Sequence, residues 1–276
     1  MSLIAAVRAA LLPAGLNLVA ALPVERYDRD VPERYRLRKR YPTSQSLIVI
    51  GNGGGPFWEG FRQHRDGRDA QPQTQEPNPL DCYAATIIER DVPPVLASMG
   101  TAGRFLYPFR FDEEPVSFIH LGALAGFGAR SLLGVLVHPE YGPWIALRAA
   151  LLLDVAIEST PVTPFDPCGT CADKPCISAC PGAAISERGW DVPACTAYRA
   201  GLPVHRRERQ GEPRNAPALH SNPHPGGEGA EVPGNCADRC HARWECIYGR
   251  AHRYPADALA YHQRRALDVM RASDAA

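Results

Sequence analysis

Eight of the nine cysteines fall between positions 168 and 246, and their spacing limits the possible folds more than any other feature. The first group reads Cys168-x2-Cys171-x4-Cys176-x3-Cys180-Pro181, Cys195 follows, and the last group reads Cys236-x3-Cys240-x5-Cys246. A cubane iron–sulfur cluster needs four converging thiolates, and a short loop of close cysteines can wrap three of its corners. The ferredoxin run is C-x2-C-x2-C-x3-C-P, whose fourth cysteine ligates the other cluster. This chain has that run with two extra residues inside Ala172–Pro175. Structural zinc sites set their cysteine pairs farther apart, and a disulfide framework belongs to secreted chains. Cys236-x3-Cys240-His241 is one residue too wide for a haem attachment motif. Spacing therefore points to two 4Fe–4S clusters, with zinc as the alternative. It does not pair the eight ligands. The ferredoxin cross-over would group Cys168, Cys171, Cys176 and Cys246, leaving Cys180, Cys195, Cys236 and Cys240.

The N-terminal stretch lacks the flanks of a secretory signal. Its only charge, Arg8, lies inside the apolar run, and Pro13 and Gly15 break the run after it. Ala9–Val24 is shorter than the roughly 20 residues a spanning helix needs. These features predict a cytoplasmic protein with no membrane segment. Thirty basic residues balance thirty acidic ones, which weighs against nucleic acid as the main partner.

Up to residue 160 the pattern predicts an α+β domain. Leu3, Ile4, Val7 and Leu11 mark an amphipathic helix, followed by a strand near Leu16–Leu22. Ser46–Ile50 reads as a buried strand running into the glycines 51–55, which serve as a plain connection or, on a weaker pattern, a phosphate loop. Asn78-Pro79 starts a helix with Leu80, Tyr83, Ala84, Ile87 and Ile88 on one face. Cys82 on that helix reads as a small buried hydrophobe. Arg104–Phe111 reads as an edge strand, Ser117–Gly126 as a helix, and Leu132–Val137 and Ala146–Val155 as strands. Arg130 and Arg148 read as surface charges. Residues 161–254 lose periodicity and form the cysteine module, with a long irregular insertion near 201–235. Residues 255–276 form a final helix carrying Leu259, Ala266 and Met270 inward. The 27 prolines, about twice the usual ~5%, suit a chain that turns tightly around clusters.

The stretch Ala125-Gly126-Phe127-Gly128, then His138-Pro139-Glu140-Tyr141-Gly142-Pro143-Trp144, a strand and the cysteine loop resembles epoxyqueuosine reductase. The central region, with Asn78-Pro79-Leu80-Asp81 and 138–148, also resembles cobalamin-processing proteins of the CblC type. The resemblance implies a nitroreductase-like domain that binds base-off cobalamin, followed by a dicluster ferredoxin-like module that delivers electrons to cobalt. It implies that Asp112, ahead of the glycine-rich turn, donates a proton to substrate. On residues alone, a solvated acidic turn is the favoured reading of Asp112, and the resemblance brings the two readings level. Candidate cofactor contacts are His138, Tyr141 and Trp144. Histidine can ligate a metal and the aromatic rings can face a flat macrocycle, or all three can be structural.

Four functions remain open at this level. The chain is a corrinoid-dependent iron–sulfur reductase, a ferredoxin-like carrier without corrinoid, a reductive cobalamin-processing protein, or a zinc-stabilised binding module. The first three need an external electron donor of flavodoxin or ferredoxin type. The neutral charge and the wide final cysteine group argue against tRNA, leaving a small-molecule or corrinoid ligand.

Overall fold

Antiparallel pairing organises the larger part of the protein. A computed structural model describes residues 1–67, 78–111, 113–201, 236 and 238–264. Its helices are α1 (Leu3–Leu11), α2 (Val24–Asp30), α3 (Leu37–Arg40), α4 (Pro56–Asp66), α5 (Pro79–Ser98), α6 (Phe118–Leu124), α7 (Pro175–Ser178), α8 (Val192–Arg199) and α9 (His241–Trp244). Its strands are β1 (Leu18–Pro23), β2 (Ser46–Gly53), β3 (Gly103–Leu106), β4 (Ala129–Arg130), β5 (Leu136–Val137), β6 (Ile145–Leu153), β7 (Ile185–Ser186) and β8 (Gly189–Trp190). The fold is α+β, and the chain divides into two compact units. One holds Met1–Lys174 and Cys246–Pro255, the other Pro175–Glu245 and Ala256–Ala276.

In the first unit the sheet order is β1-β2-β6-β3, with every pair antiparallel. Both sheet faces are covered, so the inner strands read as continuous apolar runs rather than alternating ones. Leu18, Ala20, Leu22, Leu47, Val49, Ala150 and Leu152 join Tyr27, Phe118 and Leu121 in one core. That face carries α2 and α6, and α1 and α5 pack together and against β1 and β6. On α5, Leu80, Ala84, Ile87 and Ile88 are buried as the periodicity predicts, while Cys82 is only half-buried.

A bulge interrupts the β2–β6 register. Ile50 pairs with Ala149 and Gly51 with Leu147, so Arg148 is the unpaired extra residue. Leu147 turns onto the α2/α6 core. Arg148 is buried: its Nε donates to Asn52 Oδ1 at 2.8 Å, its NH1 lies 3.5 Å from Asp81 Oδ1, and its guanidinium sits 4.7 Å over the Phe57 ring. The expected surface charge at Arg148 is thus corrected; a bulge aims it inward, where a carboxylate, an amide and a ring compensate it.

Two expected strands are shorter. The run from Arg104 ends at Leu106, because Pro108 opens a 3-10 turn through Arg110. Of Leu132–Val137 only Leu136–Val137 is strand. Ser131 ends the rest by accepting Gly134 N–H on its carbonyl and bonding Val135 O through both its N–H and its hydroxyl. Gly51 and Gly53 belong to β2 itself. A Cβ on Gly51 would lie 2.6 Å from Ala146 O, and one on Gly53 2.4 Å from the Tyr141 ring. Close approach of backbone and ring, not phosphate binding, accounts for these two glycines.

The second unit has shorter elements. It contains α7, the β7–β8 hairpin, α8, α9 and a helical stretch over 256–264. Leu259 is buried as expected, while Ala266, Met270 and residues 202–235 lie outside the described residues. Among the described residues no helix is long and apolar enough to cross a membrane.

Candidate metal centres

In the first unit three thiols converge. Asp166 shapes the loop that carries two of them: its carboxylate accepts from Gly169 N at 2.9 Å and its carbonyl from Thr170 Oγ1 at 2.8 Å. Leu132 N–H donates to Cys168 Sγ at 3.5 Å. Burial pushes the Cys246 thiol up, Tyr248 N–H pulls it down, and Cys168 and Cys171 stand close enough to raise it further. Tyr248 clamps the two segments together. Its ring meets Phe165 edge-on at 5.2 Å and its hydroxyl bonds Thr170 Oγ1 at 2.7 Å.

The Cys246 segment is also interlocked with the His138–Trp144 turn. Gly142 and Gly249 both have positive φ, 57° and 66°. A Cβ on Gly142 would lie 2.2 Å from Tyr248 O, and one on Gly249 2.2 Å from Tyr141 C. A side chain at either position would push the two backbones apart.

In the second unit four thiols converge. The Cys180-Pro181 turn closes when Ala183 N–H bonds Cys180 O at 3.0 Å and Ala184 N–H donates to Cys180 Sγ at 3.3 Å. Asp191 caps α8 through Ala194 N and so sets Cys195 on its second turn. His241 N–H donates to Cys236 and Arg243 N–H to Cys240. Burial first, then Cys240, Cys180 and Cys195, push Cys236 up to about 11. Burial and the neighbouring Cys195 and Cys180 raise Cys240 as well. Cys176 lies half-buried on α7 in this unit.

Among the described residues, no three His, Cys, Asp or Glu side chains are arranged to hold a single metal ion. The thiols of each set interact, yet they do not close around one atom. Each Cys236 or Cys240 thiol stays protonated near pH 7 without a cation, because burial and its neighbours disfavour the thiolate. A bound metal displaces such protons.

The turn from His138 to Trp144 is self-supporting. His138 Nδ1 accepts from Glu140 N at 3.0 Å and Tyr141 N at 3.2 Å, which leaves the neutral ring's proton on Nε2. Burial lowers its basicity. Tyr141 packs between His138 at 5.0 Å and His252 at 4.7 Å, and Asn17 Nδ2 reaches its hydroxyl at 3.4 Å. Trp144 is 1% exposed, with Tyr254 edge-on at 5.6 Å. Asp112 lies outside the described residues. Two residues on, Glu114 accepts from the Tyr41 hydroxyl and faces Arg104 at 3.8 Å.

Sequence reasoning missed three features. The Gly142–Gly249 interlock had a local signal only in glycines following tyrosines, Tyr141-Gly142 and Tyr248-Gly249. Tyr198 lies beside Cys236 and Cys180, with Gly182 against its ring; its one hint was its position three residues after Cys195. Arg148 had its partners Asn52 and Asp81 far away in sequence.

No protein-family model matches the chain, and no curated protein does. Among solved structures it is similar to epoxyqueuosine reductase from Streptococcus thermophilus, at 14% identity and a TM-score of 0.48, over 69% of this chain and 56% of that one. It is similar to epoxyqueuosine reductase from Bacillus subtilis at 14% identity and a TM-score of 0.43, over 70% and 56%. A catabolic reductive dehalogenase matches at 17% identity and a TM-score of 0.37, over 62% and 22%. The chain spans about half the length of these epoxyqueuosine reductases.

Proposed function

We propose that the chain is an iron–sulfur oxidoreductase that passes single electrons through two 4Fe–4S clusters. The observation that carries this reading is the sorting of thiols into separate sets, Cys168/Cys171/Cys246 and Cys180/Cys195/Cys236/Cys240. The second set is the one that the ferredoxin cross-over groups together, which supports the reading. The close run of cysteines ending in Cys180-Pro181 suits a polynuclear cluster better than structural zinc, whose cysteine pairs usually stand farther apart. Backbone N–H groups already directed at Cys168, Cys180, Cys236, Cys240 and Cys246 suit sulfur ligands whose hydrogen bonds tune potential. Bound clusters would supply one-electron chemistry. The chain's own part is to hold the thiolates, aim these N–H donors and shelter the sulfurs with Tyr198 and Tyr248.

The sequence resemblance extends the proposal to a corrinoid as electron acceptor, in a nitroreductase-like domain with a ferredoxin-like module. His138 would then offer Nε2–H and Tyr141 a ring edge, and Asp112 would donate the substrate proton. One observation favours the second reading, a carrier without corrinoid: Trp144 is already covered by protein, so its ring has no free face for a macrocycle. Titration of anaerobic protein with cob(II)alamin, followed by EPR, separates the two. A base-off signal supports the reductase. No such signal at high cofactor concentration leaves the carrier. If dithionite reduction produces no cluster signal in EPR, both readings fail.

A further inference from the structure

The neutral net charge of the chain hides a strongly basic surface. Five of the seven residues 34–40 are Arg or Lys, and Arg34, Arg36, Arg38, Lys39 and Arg40 are all exposed. Specific contacts hold this patch in place. Asp28 accepts from Leu37 N at 2.7 Å and Arg38 N at 3.0 Å, which fixes the start of α3. Arg38 Nε donates to Ser44 O and Arg40 NH1 to Glu113 O, both at 3.3 Å. Arg34 lies 4.8 Å over Tyr35, and Tyr35 meets Phe111, 48% exposed, at 6.3 Å. Arg104 stands 5.1 Å over Tyr41, and Arg110 lies against Phe109.

We propose that this patch docks the acidic surface of a one-electron carrier protein; the proposal rests on the redox reading above. Arginine beside one exposed ring, Phe111, and the half-buried rings of Tyr35, Tyr41 and Phe109, with a single lysine, is the composition of a protein-binding hot spot. Carboxylates interrupt the patch: Glu33 pairs with Lys39, and Glu113 and Glu114 lie beside Arg40 and Arg104. These would repel a continuous phosphodiester but can meet basic residues at the rim of a protein partner. The patch is also joined to one thiol set. Within the first unit α2 packs on α6, α6 packs on β4 and β5, and the β4–β5 connection donates Leu132 N–H to Cys168. In the transfer the carrier's anionic flavin hydroquinone loses one electron and becomes the neutral semiquinone; N5 keeps its hydrogen and N1 stays deprotonated, so no proton moves. A cluster takes that electron and passes from its oxidised to its reduced state.

The test is stopped-flow reduction of the cluster-loaded protein, with a reduced acidic flavodoxin as probe and dithionite as a docking-independent control. The flavodoxin rate should fall steeply with salt, and Arg34→Glu/Arg36→Glu should lower it about 10-fold or more at low ionic strength. Dithionite reduction and the melting temperature should stay unchanged, and Arg34→Lys/Arg36→Lys should restore the flavodoxin rate. An unchanged flavodoxin rate in the glutamate variant, with dithionite reduction intact, overturns the docking site alone. So does a variant that loses binding of a single-stranded RNA oligonucleotide while keeping its flavodoxin rate. Absence of any reducible cluster overturns the redox reading instead.

Discussion

The two thiol sets use the same local device on different supports. In each, backbone N–H groups point at sulfur and a tyrosine ring lies alongside. The Cys168/Cys171/Cys246 set rests on a unit with a four-stranded sheet covered on both faces. Its loops are pinned by Asp166, by Tyr248 on Thr170 and by the Gly142–Gly249 interlock. The Cys180/Cys195/Cys236/Cys240 set rests on elements of two to eight residues. Its buried apolar residues among those described are few: Ala184, Ile185, Ala242, Ala258 and Leu259 beside Cys236. On the proposed reading, metal–sulfur bonds add to the packing that these described residues supply. The comparison then predicts that without metal the first unit keeps its sheet and the second loses its shape.

The largest expected effect comes from removing a ligand in the second set. Cys236→Ala should remove one cluster and open residues 175–201 to trypsin at Arg188, while β1, β2 and β6 stay protease-resistant. Equal protection of both regions in the metal-free protein would break the comparison. Next is Trp144→Ala, a deletion inside the sheet-bearing unit, which should cost about 3–5 kcal/mol of unfolding free energy in urea. A small cost combined with a large loss of corrinoid affinity would make Trp144 a cofactor contact rather than a core residue.

Gly249→Ala adds a methyl group where Tyr141 stands and strains a positive φ. It should destabilise the first unit by about 1–3 kcal/mol and alter the EPR signal of the cluster holding Cys246, leaving the other signal in place. The smallest effect concerns His138. Burial lowers its folded pKa below the unfolded value, so the unfolded chain binds the extra proton first as pH falls. Its contribution is complete above the unfolded pKa near 6.5 and is lost as pH drops through the folded value. Urea midpoints between pH 8 and pH 5 should show that loss in the wild type and not in His138→Asn, which keeps an acceptor for the turn.

Local pattern carried much of the fold. The apolar runs near Leu16–Leu22, at Ser46–Ile50 and at Ala146–Val155 overlap β1, β2 and β6, and the 3.6-residue period from Leu80 placed α5. Features that depend on contacts between distant segments were not legible. The bulge that turns Arg148 inward needs Gly51 opposite and Asn52 and Asp81 as partners, 96 and 67 residues away. Leu132–Val137 has strand composition, but Ser131 bonds Val135 and curls most of it into a turn. For the site, cysteine spacing marked the eight candidate ligands, because a short loop can present several thiols, but it did not pair them. It could not anticipate Tyr198 or the Gly142–Gly249 contact, which exist only once the chain is folded. Asp112 rests on resemblance alone.

The most direct measurement is iron, acid-labile sulfide and zinc per chain in anaerobically purified protein, for the wild type and Cys236→Ala. Two cubanes predict about eight irons and eight sulfides in the wild type and about four of each in the variant, without zinc. Stoichiometric zinc with no sulfide in the wild type would contradict the account.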